Sequence, residues 1–251
     1  MKLTYQSGQH MPDYVVETLR YVGKVGVITS KAWCEHLGEG STPWKKEQLL
    51  NLVSRGVLVP HTCNELKGAW VLSRWSLEQL RNNGVHAVAP VPPQNIEHDE
   101  TVGTGLWRLK TKGVCQDWLT ERELKTRSST EFILDDKGYE TKYPDAVFRM
   151  VHSGKGWIIA VEYERTGKSS SRYKGVLKAY EQLEKINQIL YVVEDLSIKQ
   201  RFKACLDAHG SKELKKKLGL IAAVEWKKDP YLALIQKDNC VTSFKEIFDL
   251  T

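Results

Sequence analysis

"KYPDAVFRMVHSGKGWIIAVEYERTGKSSSRYKGVLKAY", residues 142–180, decides how the second half of the chain folds. Pro144 lacks an amide proton and stands where a strand is permitted to begin, so Asp145 leads an extended apolar run through Met150. A glycine-containing turn at residues 152–156 follows, and WIIAVEYE, residues 157–164, reads as the returning strand. One carboxylate opens the first strand and two close the second. In an antiparallel hairpin those ends lie across from one another, so Asp145 and Glu162 converge on one point. Side chains alternate along a strand, which puts Glu162 and Glu164 on one face and Tyr163 on the other. Two carboxylates brought together repel, and a divalent cation, which prefers hard oxygen ligands, removes that cost. A surface hairpin with acidic ends would give the same string, and on spacing alone that reading stands beside the metal site.

Around this hairpin the pattern alternates between helix and strand, as expected of an α/β domain. Upstream, GVCQDWLTERELKTR, residues 113–127, is rich in helix formers, with Val114, Trp118 and Leu124 as apolar contacts and Glu121 near that face. Downstream, residues 189–193 form a buried strand, residues 197–218 a long basic helix, and residues 219–226 a further strand. Lys212, Lys215, Lys216 and Lys217 crowd one helix end, which suits either the helix dipole or phosphate contact.

Three prolines in GVHAVAPVPPQ, residues 84–94, exclude a helix or central strand there and mark a linker. The expected division is residues 1–85, a linker at 86–97, and residues 98–251. In the first part a helix spans residues 13–23 on Val15, Leu19 and Val22, and a second starts at the capping Ser30 and passes Trp33 and Leu37. Ser41-Thr42-Pro43 starts a third, with Trp44, Leu49, Leu50 and Val53 as its apolar stripe. Residues 57–60 and 68–72 form a hairpin around the tip HTCNELK, and residues 76–83 a short extra helix. Three helices followed by a hairpin is the order of a winged helix-turn-helix, whose third helix enters a DNA major groove. Lys45, Lys46 and Gln48, off the apolar stripe, and Arg55 at the helix end are the expected DNA contacts; a solvated helix face and a protein-interaction module are the other readings.

The whole chain of 251 residues carries a formal charge of +6, which favours a polyanionic partner. Five cysteines, with no CxxC pair, read as buried thiols in a reducing cytoplasm. No run approaches the ~20 apolar residues that span a bilayer, so a soluble cytoplasmic protein is expected.

Pro144-Asp145 with Glu162 resembles the PD-(D/E)XK nuclease superfamily, whose restriction-endonuclease-like mixed sheet places an Asp and a Glu on adjacent strands around Mg2+ or Mn2+. The chain departs from the bare motif, because Glu164 and not a lysine stands two residues after Glu162. The longer string VEYERTGKSSSRYKGVLKAY resembles the ExExxxK…RY…Y signature of the replication-relaxation family and the related MobC-type relaxases of mobilisable plasmids. IEHDETV around His98 and DWLTERELK resemble two further segments of that family. The resemblance implies that Asp145, Glu162 and Glu121 bind metal, that Glu164 flanks the site, and that Lys168 is a displaced catalytic lysine with Arg172 on the following helix; the charge and planarity of Arg172 suit a phosphate contact, and a pair with Glu164 is the other reading. Lys174 is the rival amine, and Tyr173 and Tyr180 recur at helix spacing, which favours the core for both.

The expectation is a winged helix joined to a PD-(D/E)XK-like nuclease, a metal-dependent DNA endonuclease acting as a plasmid relaxase. It would nick one strand at a transfer origin during conjugative mobilisation, with relaxosome or coupling proteins as further partners. The alternatives are a non-catalytic plasmid replication or copy-control factor with a degenerate nuclease fold, and a restriction- or transposase-type nuclease that cuts both strands.

Overall fold

The computed structural model describes residues 3, 5, 9–38, 40–61, 68–126, 143–238 and 240–249. The hairpin tip at residues 62–67, with Cys63, lies outside the described residues. The chain divides into two compact units, Met1–Thr104 and Gly105–Thr251.

In the first unit, α1 (Asp13–Val25) buries Val15, Val16, Leu19 and Val22 on one stripe. It ends at Gly26, whose φ of +88° suits glycine and whose N–H donates to Val22 O at 2.7 Å. β1 (Ile28–Thr29) leads into α2 (Ser30–Ala32), which is capped by Thr29 Oγ1 and continues as a π-helical turn over Trp33–Leu37. α3 (Thr42–Ser54), β2 (Leu58–Pro60), β3 (Ala69–Leu72) and α4 (Arg74–Asn82) complete the series. The strands form an antiparallel sheet in the order β1-β3-β2, with Ile28 opposite Trp70 and Val59 opposite Val71. β1 was not expected, because two residues leave no readable alternation.

The face of α3 differs from the expected stripe. Gln48, Leu49 and Leu52 are buried, whereas Trp44 is 52% and Leu50 62% exposed. Gln48 is therefore a core-facing residue and not a free DNA contact. Its spacing of four before Leu52 puts both on one side of the helix.

The proline segment is irregular up to Pro92, with a 3-10 turn at Pro93–Asn95, and it is packed within the first unit. Val88 and Val91 are buried, the Val88 N–H donates to Gly23 O at 2.8 Å, and the Val91 carbonyl lies 2.8 Å from His61 Nε2. α5 (Ile96–Thr111) begins before His98, and the division into units falls inside this helix, after Thr104. His98 accordingly belongs to the first unit.

The second unit is mixed α/β. Its elements are β4 (Asp117–Thr120), α6 (Glu121–Thr126), β5 (Ala146–His152), β6 (Lys155–Glu164), α7 (Ser170–Glu181) and β7 (Gln188–Val193), followed by α8 (Leu196–His209), α9 (Lys212–Lys217), β8 (Leu218–Ala222), α10 (Ala223–Lys228), β9 (Ile235–Gln236), β10 (Val241–Thr242) and α11 (Phe244–Asp249). The seven strands stand side by side in chain order, from β4 at one edge to β10 at the other. β4, β5 and β6 are antiparallel; β6, β7 and β8 are parallel. Two successive parallel crossovers running in one direction must place their helices on the same side if both are right-handed. α7, α8 and α9 do cover one face, packing Tyr173, Leu177, Phe202 and Leu214 against Val147, Ala160, Ile189, Tyr191 and Leu218. On the opposite face Phe244 of α11 meets Phe148 edge-on, with ring centroids 6.1 Å apart.

Three expectations are corrected here. Residues 117–120 are a strand paired with β5, not helix; Trp118 and Leu119 are buried in the sheet and only Glu121 onward is helical. Pairing with a neighbouring strand outweighs the helix propensity of this short segment. The single basic helix is two, because Gly210 is extended (φ −76°, ψ 138°) and Ser211 caps α9 anew. The last expected strand stops at Ala222, and Trp226 is on α10. The free cysteines also differ in part: Cys115 and Cys205 are buried, Cys34 is half-buried and Cys240 exposed.

Candidate functional site

Ala146 pairs with Val161 in the antiparallel β5–β6 ladder, so one step further Asp145 stands opposite Glu162. Directly opposed residues of such a ladder project to the same side of the sheet. That side is the one covered by α7 and α8, because Ala160, two residues before Glu162, packs there. The sequence places the carboxylates at the carboxyl ends of β6 and the parallel β7 beside it, where α/β sheets commonly bind ligands.

Glu162 is 5% and Glu164 4% exposed, so each carboxylate has lost most of its water and needs donors. Tyr180 of α7 donates its hydroxyl proton to Glu162 Oε1. Glu164 Oε2 accepts from Tyr191 Oη on β7 at 2.8 Å and forms an ion pair with Lys168 Nζ. The Lys168 backbone N–H in turn donates to Tyr173 Oη at 3.1 Å. Asp145 Oδ2 accepts from the Tyr163 N–H at 2.7 Å, extending the β5–β6 ladder with a side-chain oxygen. Burial, then the nearby carboxylates of Glu162 and Asp145, push the Tyr180 hydroxyl well above the ordinary phenol range. Burial and Glu164 do the same to Tyr191. Both phenols therefore stay protonated and serve as donors.

The expected residues fall into two groups. Asp145, Glu162, Glu164 and Lys168 come together at the ends of β5 and β6. Glu121 joins them by its backbone alone: its N–H donates to Asp145 O at 2.7 Å, while its side chain pairs with Lys125 at 2.7 Å. Thr120 and Glu123 cap α6 reciprocally, Thr120 N to Glu123 Oε2 and Glu123 N to Thr120 Oγ1. Arg172 lies exposed in the first turn of α7, and Lys174 is exposed on the same helix. Tyr180 and Tyr191 were not expected as partners of the glutamates. Tyr180 reads as an apolar-stripe residue, and Tyr191 sits inside the string ILYVV, whose register against β6 no local pattern reveals.

A divalent cation is tested against this donor set. Among the described residues no group of three or more His, Cys, Asp or Glu is arranged to hold a metal ion. Two opposed carboxylates nevertheless fit Mg2+ or Mn2+, which commonly take one or two protein carboxylates and complete their shell with water and phosphate oxygens. Asp145 and Glu162 are the residues that suit it.

In the first unit, Lys45 Nζ donates to Cys34 O at 2.7 Å and is committed within the fold. Lys46 is exposed; Arg55 is exposed, bonded to Asn51 Oδ1 at 2.9 Å and set 4.9 Å from the Tyr5 ring. Met1–Thr104 contains ten Lys or Arg and ten Asp or Glu. Of 37 basic and 31 acidic residues in the chain, 27 and 21 are left for Gly105–Thr251, which therefore carries the whole excess of +6. The basic balance of the chain does not support the first unit as the polyanion-binding part. In the second unit Lys215 Nζ donates to Asp207 O at 2.9 Å, which ties one lysine of the basic cluster to the end of α8.

No helix among the described residues is long and apolar enough to cross a membrane. No protein-family model, curated protein or solved structure matches the chain.

Proposed function

We propose that the chain is a metal-dependent DNA endonuclease that nicks one strand, in the manner of a plasmid relaxase, with a PD-(D/E)XK-like second unit. The observation that carries this reading is the opposition of Asp145 and Glu162 across β5 and β6, on the same face as Glu164 and Lys168. Bound there, Mg2+ or Mn2+ would supply Lewis-acid activation of a scissile phosphate. The remaining work falls to the chain. Lys168, fixed by Glu164, holds a positive charge at the carboxyl end of β6, where it would stabilise charge developing on a phosphate. Tyr180 and Tyr191 orient Glu162 and Glu164 by hydrogen bonds in a site where water is largely excluded.

The order α1, β1, α2, α3, β2, β3 supports a winged helix-turn-helix in the first unit. In it Lys46 on α3 and Arg55 at its C-cap remain the exposed cations for DNA. That part rests on topology, since the first unit has no net charge. The expected setting is cytoplasmic, at a transfer origin with relaxosome proteins.

One observation favours a second reading, a non-catalytic DNA-binding replication factor. Both glutamates are engaged by buried phenols and a lysine, as in a degenerate site held together for stability. Supercoiled plasmid with Mn2+ or Mg2+ separates the two. Open-circular product from the wild type, absent with Asp145→Ala and Glu162→Ala, supports the nickase; persistent nicking by both variants rejects the site. Linear product identifies a double-strand cutter, and metal-independent binding without cleavage identifies the non-catalytic factor.

A further inference from the structure

Lys168, the cation at the carboxylates, shares its charge with Glu164, to which its Nζ is paired. A phosphodiester brought to Asp145 and Glu162 would meet a site short of uncommitted positive charge. Arg201, on α8, supplies one. Its Nη1 lies so near the backbone of the 165–169 loop that a Cβ built on Gly167 would stand 3.0 Å from it and 3.7 Å from Cζ. Gly167 comes directly before Lys168, so the guanidinium overhangs the loop that connects Glu164 to α7.

The surroundings of Tyr173 place Arg201 in the same cluster. Burial raises the Tyr173 hydroxyl, the Lys168 N–H lowers it, and the Glu164, Arg201 and Asp195 charges all act on it. Yet among the described residues no hydrogen bond or ion pair holds the Arg201 side chain. Asp195, the cap of α8, accepts from the Ile198 N–H at 2.9 Å and Ser197 Oγ at 2.7 Å; these bonds, and after them the Arg201 charge, hold its carboxyl below the usual range. Arg201 is exposed, planar and permanently charged, the properties that suit a bidentate phosphate contact.

We infer that Arg201 is a phosphate-binding residue of the carboxylate site, which grips the DNA backbone from α8 over the glycine at position 167. The inference rests on the nuclease reading for its ligand, but not on cleavage. It also gives Gly167 a reason beyond loop flexibility: a side chain there would push against the guanidinium.

The test is binding of a labelled DNA duplex by the full chain, by fluorescence anisotropy in EDTA over a series of salt concentrations. Arg201→Ala is expected to weaken binding about tenfold at low salt, as for loss of a charged hydrogen bond. It should also lower the slope of log K against log salt by about one. Arg201→Lys should keep the slope and recover only part of the affinity. Gly167→Ala, whose backbone is not in the left-handed region, should weaken binding in the same direction. Wild-type affinity and slope in Arg201→Ala would overturn the inference even if Asp145→Ala abolishes nicking. Loss of nicking in Asp145→Ala with no effect of Arg201→Ala leaves the nuclease reading intact; a wild type that neither binds nor nicks DNA removes both. If Arg201→Ala loses its fold by circular dichroism, unchanged binding in Gly167→Ala and an unchanged affinity in Arg201→Lys overturn the inference.

Discussion

Tyr180 of α7 donates its hydroxyl proton to Glu162 of β6, with both side chains buried. The bond joins the helical layer to the sheet at the point where the carboxylates collect. Tyr180→Phe removes the donor and leaves the carboxylate buried, at an expected cost of about 1.5–3 kcal/mol. Glu162→Gln in the Tyr180→Phe background should cost less than in the wild type, so the double-mutant cycle reports coupling. Additivity within about 0.5 kcal/mol in urea unfolding would show that the bond does not contribute.

The Glu164–Lys168 pair has one end buried and the other 25% exposed. Lys168→Ala leaves Glu164 with Tyr191 as donor and should destabilise by about 2 kcal/mol, below the cost of breaking a fully buried pair. Lys168→Ala combined with Glu164→Leu should recover part of that loss, because no buried charge is then left uncompensated. Chemical denaturation of the four chains checks both statements.

Glu100, in the first unit, accepts from Thr29 N at 2.6 Å and Thr29 Oγ1 at 2.8 Å. Burial raises its carboxyl above the usual range, although the Thr29 bonds oppose the shift. The folded state thus holds this proton more tightly than the unfolded chain. Its contribution to stability falls as pH rises from the ordinary carboxylate value through the folded one, and is greater on the acid side. Glu100→Gln should remove that component, so the difference in Tm between wild type and variant should change across this window and level off above it.

Gly105 and Gly175 make a contrast within the second unit. A Cβ at Gly105 would clash with Cε2 of the buried Trp226, while at Gly175, on the exposed side of α7, nothing is within 4 Å. Gly105→Ala should lower stability by about 1–3 kcal/mol through overpacking. Gly175→Ala should raise it by roughly 0.5–1 kcal/mol by helix propensity. Thermal melts of both variants decide, and equal effects would contradict the geometry around Trp226.

The β5–β6 hairpin was legible because alternation, a leading proline and a glycine turn all agree on one register, and that register puts Asp145 across from Glu162. β4 was not legible: four residues beside the helix-forming ERELK carry too little pattern to show that pairing with β5 decides their shape. The partners of the two glutamates were hidden for another reason. Tyr191 reaches Glu164 only through a parallel pairing made by a crossover helix, and Arg201 reaches Gly167 only through the packing of α8. Local spacing has no access to either. Gln48 and Trp44 show the opposite failure, in which a polar residue occupies the buried stripe of α3 and an aromatic one faces water.

The separation of charge between the units has a kinetic meaning. An electrostatic field fades within about 8 Å at physiological ionic strength, so attraction at a distance comes from the part of the chain that holds the surplus cations, Gly105–Thr251. On the proposed DNA-binding reading, the N-terminal unit, with no net charge, adds little to that attraction. That reading assigns encounter to the second unit and discrimination to α3, and raising the salt should then slow arrival while leaving the selectivity of α3 largely untouched.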